Sequence, residues 1–156
     1  MNPAWQAYLR DHHAVIENHC AAHFGDIAGE RKATLHKTII ADLSLFGLIR
    51  FSGDYAATFL QSQLSCDMRE IDTQTARYGC YCTPKGRILA NFTLWQQDGG
   101  FLMQLPAGLA ASIQKRLSMF VLRAKVQLAD ASDAWVQIGI AGTDAVPAIE
   151  KATGIT

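Results

Sequence analysis

The stretch from Arg77 to Leu105 limits the fold more than any other part of the chain. Arg77–Cys82 reads as a strand. Thr83-Pro84-Lys85-Gly86 reads as a turn, with proline presetting φ and glycine closing it. Arg87–Trp95 is the return strand. Its period of two places Ile88, Ala90, Phe92 and Leu94 on one face and Leu89, Asn91, Thr93 and Trp95 on the other. Asp98-Gly99-Gly100 then turns into a third strand, Phe101–Leu105.

The flanking segments extend this pattern. Residues 38–42 are a short extended run, and Leu45–Phe51 is β-rich around Gly47. Ser52-Gly53-Asp54 is a turn that puts an acidic side chain at the positive end of a helix running to about Leu64. That helix is expected to bury Ala56, Phe59, Leu60 and Leu64. A second helix is expected over 108–122, with Leu109, Ile113, Leu117, Phe120 and Val121 as its apolar stripe and Lys115 and Arg116 outside it. Lys125–Ala129 and Trp135–Ala141 read as strands, and Thr143 caps a last helix that stops near Gly154. The order β-β-α-β-β-β-α-β-β-α, in clusters joined by tight turns, is that of an α+β fold rather than a doubly wound one.

Ahead of this domain, Trp5, Tyr8, Leu9, Val15, Ile16, Cys20 and Phe24 recur at helical spacing, so residues 4–24 are expected to form one amphipathic helix with Gly25 as its C-cap. The polar segment 25–37 reads as a linker. The expected organisation is an N-terminal helix over 1–24, a linker over 25–37 and a main domain over 38–156.

Of 156 residues, 49% are hydrophobic and 18% charged, the latter below the usual average of about 25% and enough to exclude disorder. No apolar run approaches the roughly 20 residues of a transmembrane helix, and the N-terminus lacks signal-peptide order. A cytoplasmic protein is expected, with Cys20, Cys66, Cys80 and Cys82 as reduced thiols. Net charge is zero but unevenly spread: residues 77–125 carry seven Lys/Arg against Asp98 alone, a basic island of +6. Lys85, Arg87, Lys115, Arg116 and Lys125 form a patch suited to an anionic ligand or nucleic acid. A solvated surface is the alternative reading.

Few residues signal chemistry directly. His19 and His23 are four apart, as a helical metal clip would be, but Cys20 stands where a zinc protease helix needs glutamate. Interface histidines on an amphipathic helix are the plainer reading, His12 included. Cys80 and Cys82 share one face of their strand while Tyr81 points the other way. A Cys-x-Cys pair can bind soft metals, but two ligands do not make a site, and burial as small hydrophobes is the plainer reading. No metal site is expected. GxGxxG, P-loop, GxSxG and CxxC patterns are absent.

Three blocks together carry a resemblance. They are Phe59-Leu60-Gln61-Ser62-Gln63-Leu64-Ser65-Cys66-Asp67, Tyr81-Cys82-Thr83-Pro84-Lys85-Gly86-Arg87-Ile88-Leu89-Ala90-Asn91-Phe92, and Lys115-Arg116-Leu117-Ser118-Met119-Phe120-Val121-Leu122-Arg123-Ala124-Lys125-Val126. In this order and spacing the chain, over roughly 38–150, resembles the YgfZ-type folate-binding proteins, relatives of the glycine-cleavage T-protein (aminomethyltransferase). The resemblance implies β-β-α-β-β-β-α subdomains that exchange strands around a folate-binding hollow. The chain would hold the first subdomain and the start of the second, an incomplete folate-binding domain whose remaining half is the missing partner. The family signature Lys-Gly-Cys-Tyr-x-Gly-Gln-Glu is not present. Tyr78-Gly79-Cys80-Tyr81 does not fit its surroundings.

One departure separates the two branches. T-protein-like chains carry adjacent aspartates where this chain has Ala90-Asn91. Asparagine can hydrogen-bond but cannot act as a general base. The resemblance therefore implies a tetrahydrofolate-binding, non-transferase role that supports iron–sulfur cluster enzymes, including tRNA-modifying ones. Gln63, Asp67, Asn91 and Arg123 are the expected folate-binding residues, with the basic patch taking the glutamate tail. A T-protein-type aminomethyltransferase and a basic tRNA- or protein-binding module are the alternatives.

Overall fold

The computed structural model describes residues 1–121 and 125–154. In chain order the elements are α1 (Pro3–Asp11), β1 (Val15–Glu17), β2 (Cys20–His23), α2 (Ile27–His36), β3 (Ile39–Asp42), β4 (Phe46–Ser52), α3 (Ala56–Gln63), a 3-10 turn (Met68–Glu70), β5 (Arg77–Cys82), β6 (Ile88–Gln97), β7 (Gly100–Pro106), α4 (Ala107–Ser118), β8 (Gln127–Asp130), β9 (Ile138–Ala141) and α5 (Ala145–Thr153). From β3 onward this is the order expected from sequence. The chain divides into two compact units, Met1–Leu45 with Asp133–Thr156, and Phe46–Ser132.

The unit Phe46–Ser132 is built on a five-stranded antiparallel sheet ordered β5-β6-β7-β4-β8. Period-two alternation gives the sheet one strongly apolar face. Ile49, Phe51, Tyr81, Ala90, Phe92, Leu94, Met103 and Leu105 are buried there, in one cluster with Phe59 and Leu60 of α3 and Ala110, Ile113 and Leu117 of α4. Burial of each such large side chain contributes about 1.5–3 kcal/mol, which makes this cluster the main source of stability. The other face carries a smaller cluster of Leu48, Leu102 and Ala131 with Trp95 packed against it.

Details of this unit depart from expectation in three places. Ile88 is 57% exposed, because the pairing shifts register between Tyr81 and Cys82 and takes Ile88 out of the apolar row. The stripe of α4 is Ala110, Ile113 and Leu117, whereas Leu109 and Phe120 are 37% and 46% exposed. Helical hydrogen bonding ends at Ser118, so Phe120 no longer follows the helical phase. Cys80 and Cys82 are half-buried rather than core residues, since it is the alternate residue Tyr81 that points into the core.

In the unit formed by the chain ends, the long N-terminal helix is corrected. α1 starts well, with Pro3 in its first turn and the Asn2 side chain accepting from the N–H groups of Ala4 and Trp5 at 3.0 and 3.2 Å. It stops at Asp11, and His13 takes φ 65°. The chain then makes a hairpin, β1 paired with β2, with Glu17 opposite Cys20 and Asn18-His19 as the two-residue turn. Both turn residues have positive φ, 49° and 62°, as a type I′ turn requires. Val15-Ile16, two β-branched residues just ahead of the Asn18 turn, is the local signal that outweighs helical spacing. His19 and His23 therefore do not share a helix face.

The expected linker is also corrected, since 27–36 is α2. Asp26 caps it by accepting the Gly29 N–H at 2.9 Å, and Glu30 accepts the Phe24 N–H at 2.8 Å. No residue of α2 is buried, so composition alone resembled a linker. β3 pairs with β9 over Ile39↔Ala141 to Asp42↔Ile138, and α5 ends at Gly154 in the left-handed conformation, where it was expected to stop.

Asp42 organises this unit. Its carboxylate accepts from Trp5 Nε1 at 2.9 Å, from the Ala21 N–H at 2.8 Å, and from Ser44 through both N–H and hydroxyl at 3.1 and 2.7 Å. Burial alone would raise the Asp42 pKa, but these donors outweigh it and hold the carboxyl below its ordinary value. One side chain thereby ties α1, β2 and β3 together.

Candidate functional site

The site is assembled at the outer edge of β5, where three segments meet. α3 ends at Gln63, and Leu64 leaves it in extended conformation to bridge Tyr81. Ser65 continues the pairing, with its N–H donating to the Cys80 carbonyl at 3.1 Å. The Cys80 N–H donates in turn to Ser65 Oγ at 2.8 Å. This short segment satisfies part of an otherwise open sheet edge.

The second segment is the turn after β5. The Gly86 N–H donates to the Thr83 carbonyl at 2.9 Å, and the Arg87 N–H to Thr83 Oγ1 at 3.1 Å. Gly86 has φ 77°, which its lack of a Cβ permits. Lys85 and Arg87 stand exposed on this turn. The third segment is the end of α4, which brings Arg116 and Phe120.

Together these segments enclose a cavity of about 390 Å³ lined by Gln63, Ser65, Cys80, Cys82, Thr83 and Arg116, among others. The Cys80 and Cys82 sulfurs lie 3.6 Å apart, and the Cys80 sulfur is 3.3 Å from Ser65 Oγ. The Cys80 thiol beside it pushes the Cys82 thiol pKa up, with desolvation adding to the effect. Arg116 Nε is buried and has no hydrogen-bond partner among the described residues. A buried, unpaired guanidinium N–H is costly, and the Arg116 side chain also lines the cavity, where a guanidinium is suited to an anionic oxygen.

Of the residues expected from sequence, Gln63 and Arg116 line this cavity. Asn91 is exposed on β6, in register with Cys80, so it stands beside the cysteine pair on the sheet face away from α3 and α4. Ala90, its neighbour, faces the core and is 3% exposed. Asp67 lies elsewhere. It caps the 3-10 turn and binds Arg69 through two oxygens, with Nη2–Oδ2 at 2.7 Å. The Arg69 side chain holds the Asp67 carboxyl at about 2.

Lys125 lines a separate cavity of about 480 Å³ with Ser52, Gly53 and Asp54, while Lys115 is exposed on α4. Arg123 lies outside the described residues. Ser65 carries no local sequence signal of its role, because its partner Cys80 lies 15 residues further on and is reached only through the fold. Among the described residues no helix is long and apolar enough to cross a membrane.

Comparison with known proteins places this arrangement. The sequence matches the family described as GCVT N-terminal domain over residues 5–156. It is 31% identical over 96 residues to the tRNA-modifying protein YgfZ of Colwellia psychrerythraea, covering 62% of this chain and 30% of that protein. It is 28% identical over 127 residues to the protein of the same name from Vibrio vulnificus, covering 81% of this chain and 38% of the relative. An aminomethyltransferase of Exiguobacterium sibiricum is 28% identical over 133 residues, with 85% and 37% covered. The fold superposes on the glycine cleavage system aminomethyltransferase T of Bartonella henselae with a TM-score of 0.82 at 18% identity, over 100% of this chain and 44% of that one. The chain thus matches 30% to 38% of the length of these curated relatives.

Proposed function

This chain belongs to the GCVT N-terminal domain family, and from that premise we propose that it is the tetrahydrofolate-binding part of a YgfZ-like protein that acts in tRNA modification and supports iron–sulfur enzymes in the cytoplasm. The observation that carries the reading is the pair Ala90-Asn91. Ala90 is sealed in the core, and the residue presented to the open face is a neutral amide. No carboxylate stands at either position to take a proton from a folate nitrogen.

The donor set fits folate. Asn91 offers an amide donor and acceptor to a heteroaromatic ring edge, and Gln63 offers a second amide. Arg116, with its buried unpaired Nε, is suited to a carboxylate of the glutamate tail. Lys85 and Arg87 add positive charge at the rim. Tetrahydrofolate would be bound and oriented here, and these residues supply hydrogen bonds and charge rather than a proton-transfer group.

Titration of the protein with tetrahydrofolate, followed by tryptophan fluorescence, tests this. Saturable binding is expected well below millimolar, and Asn91→Ala or Arg116→Gln should weaken it about tenfold, one hydrogen bond's worth. No saturation at millimolar ligand overturns the reading. Aminomethyl transfer is the second reading, favoured by the aminomethyltransferase relative. Formation of methylene-tetrahydrofolate by the purified protein would establish it in place of the first.

A further inference from the structure

The cysteine pair of β5 points to a chemistry that folate binding does not use. We propose that Cys80 and Cys82 are a bidentate dithiolate site for a tetrahedral, thiophilic divalent cation of the zinc class, assisted by Ser65 and open on its cavity side.

Residues two apart on a strand share a face, so both sulfurs emerge on the same side of β5. They stand 3.6 Å apart. Two sulfurs each about 2.3 Å from a tetrahedral zinc are separated by roughly 3.8 Å, and by about 4.6 Å across a linear ion. The pair is thus within a few tenths of an ångström of a tetrahedral edge and far from linear geometry. A disulfide fits less well. Cα atoms two apart on an extended strand are about 6.6 Å from each other, near the upper end of the bridgeable range.

The neighbours of the pair are polar, although the Cys80 thiol raises the cost of ionising Cys82, so the metal itself has to displace the protons. Ser65 Oγ accepts both the Cys80 N–H at 2.8 Å and the Cys80 S–H at 3.3 Å, and once that thiol is deprotonated the serine hydroxyl is within reach to donate to the sulfur. Arg116 lines the same cavity. Binding would form two metal–sulfur bonds and release two thiol protons to solvent, with no change of oxidation state. Among the described residues no group of three or more His, Cys, Asp and Glu is placed to hold a metal. The remaining two coordination positions therefore fall to water or to an exogenous ligand in the cavity, one more than an open zinc site with three protein ligands leaves. Cys66 packs against the core and does not line the cavity, so the site rests on Cys80 and Cys82.

The test uses the reduced, chelator-treated protein with Co(II) and then Zn(II) as probes. Expected results are one equivalent of Co(II) giving thiolate-to-metal charge-transfer absorption, its displacement by Zn(II), and affinity lost by more than about tenfold in Cys80→Ser and Cys82→Ser. Cys66→Ser and Cys20→Ser should bind as the parent does. Where a variant fails to fold, alkylation of the parent protein decides. Zn(II) should slow maleimide modification at Cys80 and Cys82 and leave Cys20 unaffected. Absence of charge-transfer absorption, equal loss in Cys66→Ser, or alkylation of Cys80 and Cys82 indifferent to Zn(II) would overturn the proposal.

Discussion

Ser65 and Cys80 are bonded to each other three times. The Ser65 N–H donates to the Cys80 carbonyl, the Cys80 N–H donates to Ser65 Oγ, and that hydroxyl lies 3.3 Å from the Cys80 sulfur. A serine hydroxyl here acts as one more rung on an edge strand. Ser65→Ala removes the acceptor of one N–H and should lower stability by about 1 kcal/mol, read from the urea midpoint.

Gly53 is required by its backbone and by its neighbour. It has φ 109°, and a Cβ there would run into the Lys125 carbonyl oxygen. Backbone on both sides leaves little room to adjust. Gly53→Ala should cost about 3 kcal/mol in chemical denaturation, near the upper end for single substitutions.

Asp67 should titrate unusually low. Its folded value of about 2 lies below the 3.8 of a free aspartate, chiefly through the Arg69 side chain. A depressed carboxylate stabilises the fold above its unfolded pKa, and that contribution disappears as pH falls from about 4 towards 2. Carboxyl-carbon NMR should show an Asp67 midpoint near 2, moving up towards 3.8 in Arg69→Ala.

Asp42 should matter more than its position on a short strand suggests. Asp42→Ala strands the Trp5 indole N–H and the N–H groups of Ala21 and Ser44 in a half-buried setting. A loss of about 2 kcal/mol is expected, with the indole Nε1–H resonance of Trp5 shifting in NMR spectra.

Ala90 and Asn91 should respond oppositely to a carboxylate. Asn91 is exposed, so Asn91→Asp should change stability by less than about 0.5 kcal/mol. Ala90 is 3% exposed among Tyr81, Phe92 and Leu94, and Ala90→Asp would place an unpaired charge in that core at a cost of about 3–5 kcal/mol. Thermal denaturation of the two variants separates these outcomes.

The three strands between Arg77 and Pro106, with α3 and α4 around them, were legible locally. Strict alternation at Ala90, Phe92 and Leu94, the Thr83–Gly86 turn and the spacing of Ile113 and Leu117 each encode their own element, because both periods arise within a few residues. The N-terminal third was not. There Asn18-His19 in a left-handed turn defeats a helical spacing that runs past it, and Asp26 caps a helix too polar to be recognised by an apolar stripe. The site divides in the same way. Asn91 on the open face and Ala90 in the core follow from period two alone. The meeting of Ser65, Cys80, Cys82 and Arg116 around one cavity does not, because it depends on the end of α3, the edge of β5 and the end of α4 converging from 50 residues of chain. Local periodicity determines which way each side chain points, and only the packed sheet and its two helices decide which of them share a space.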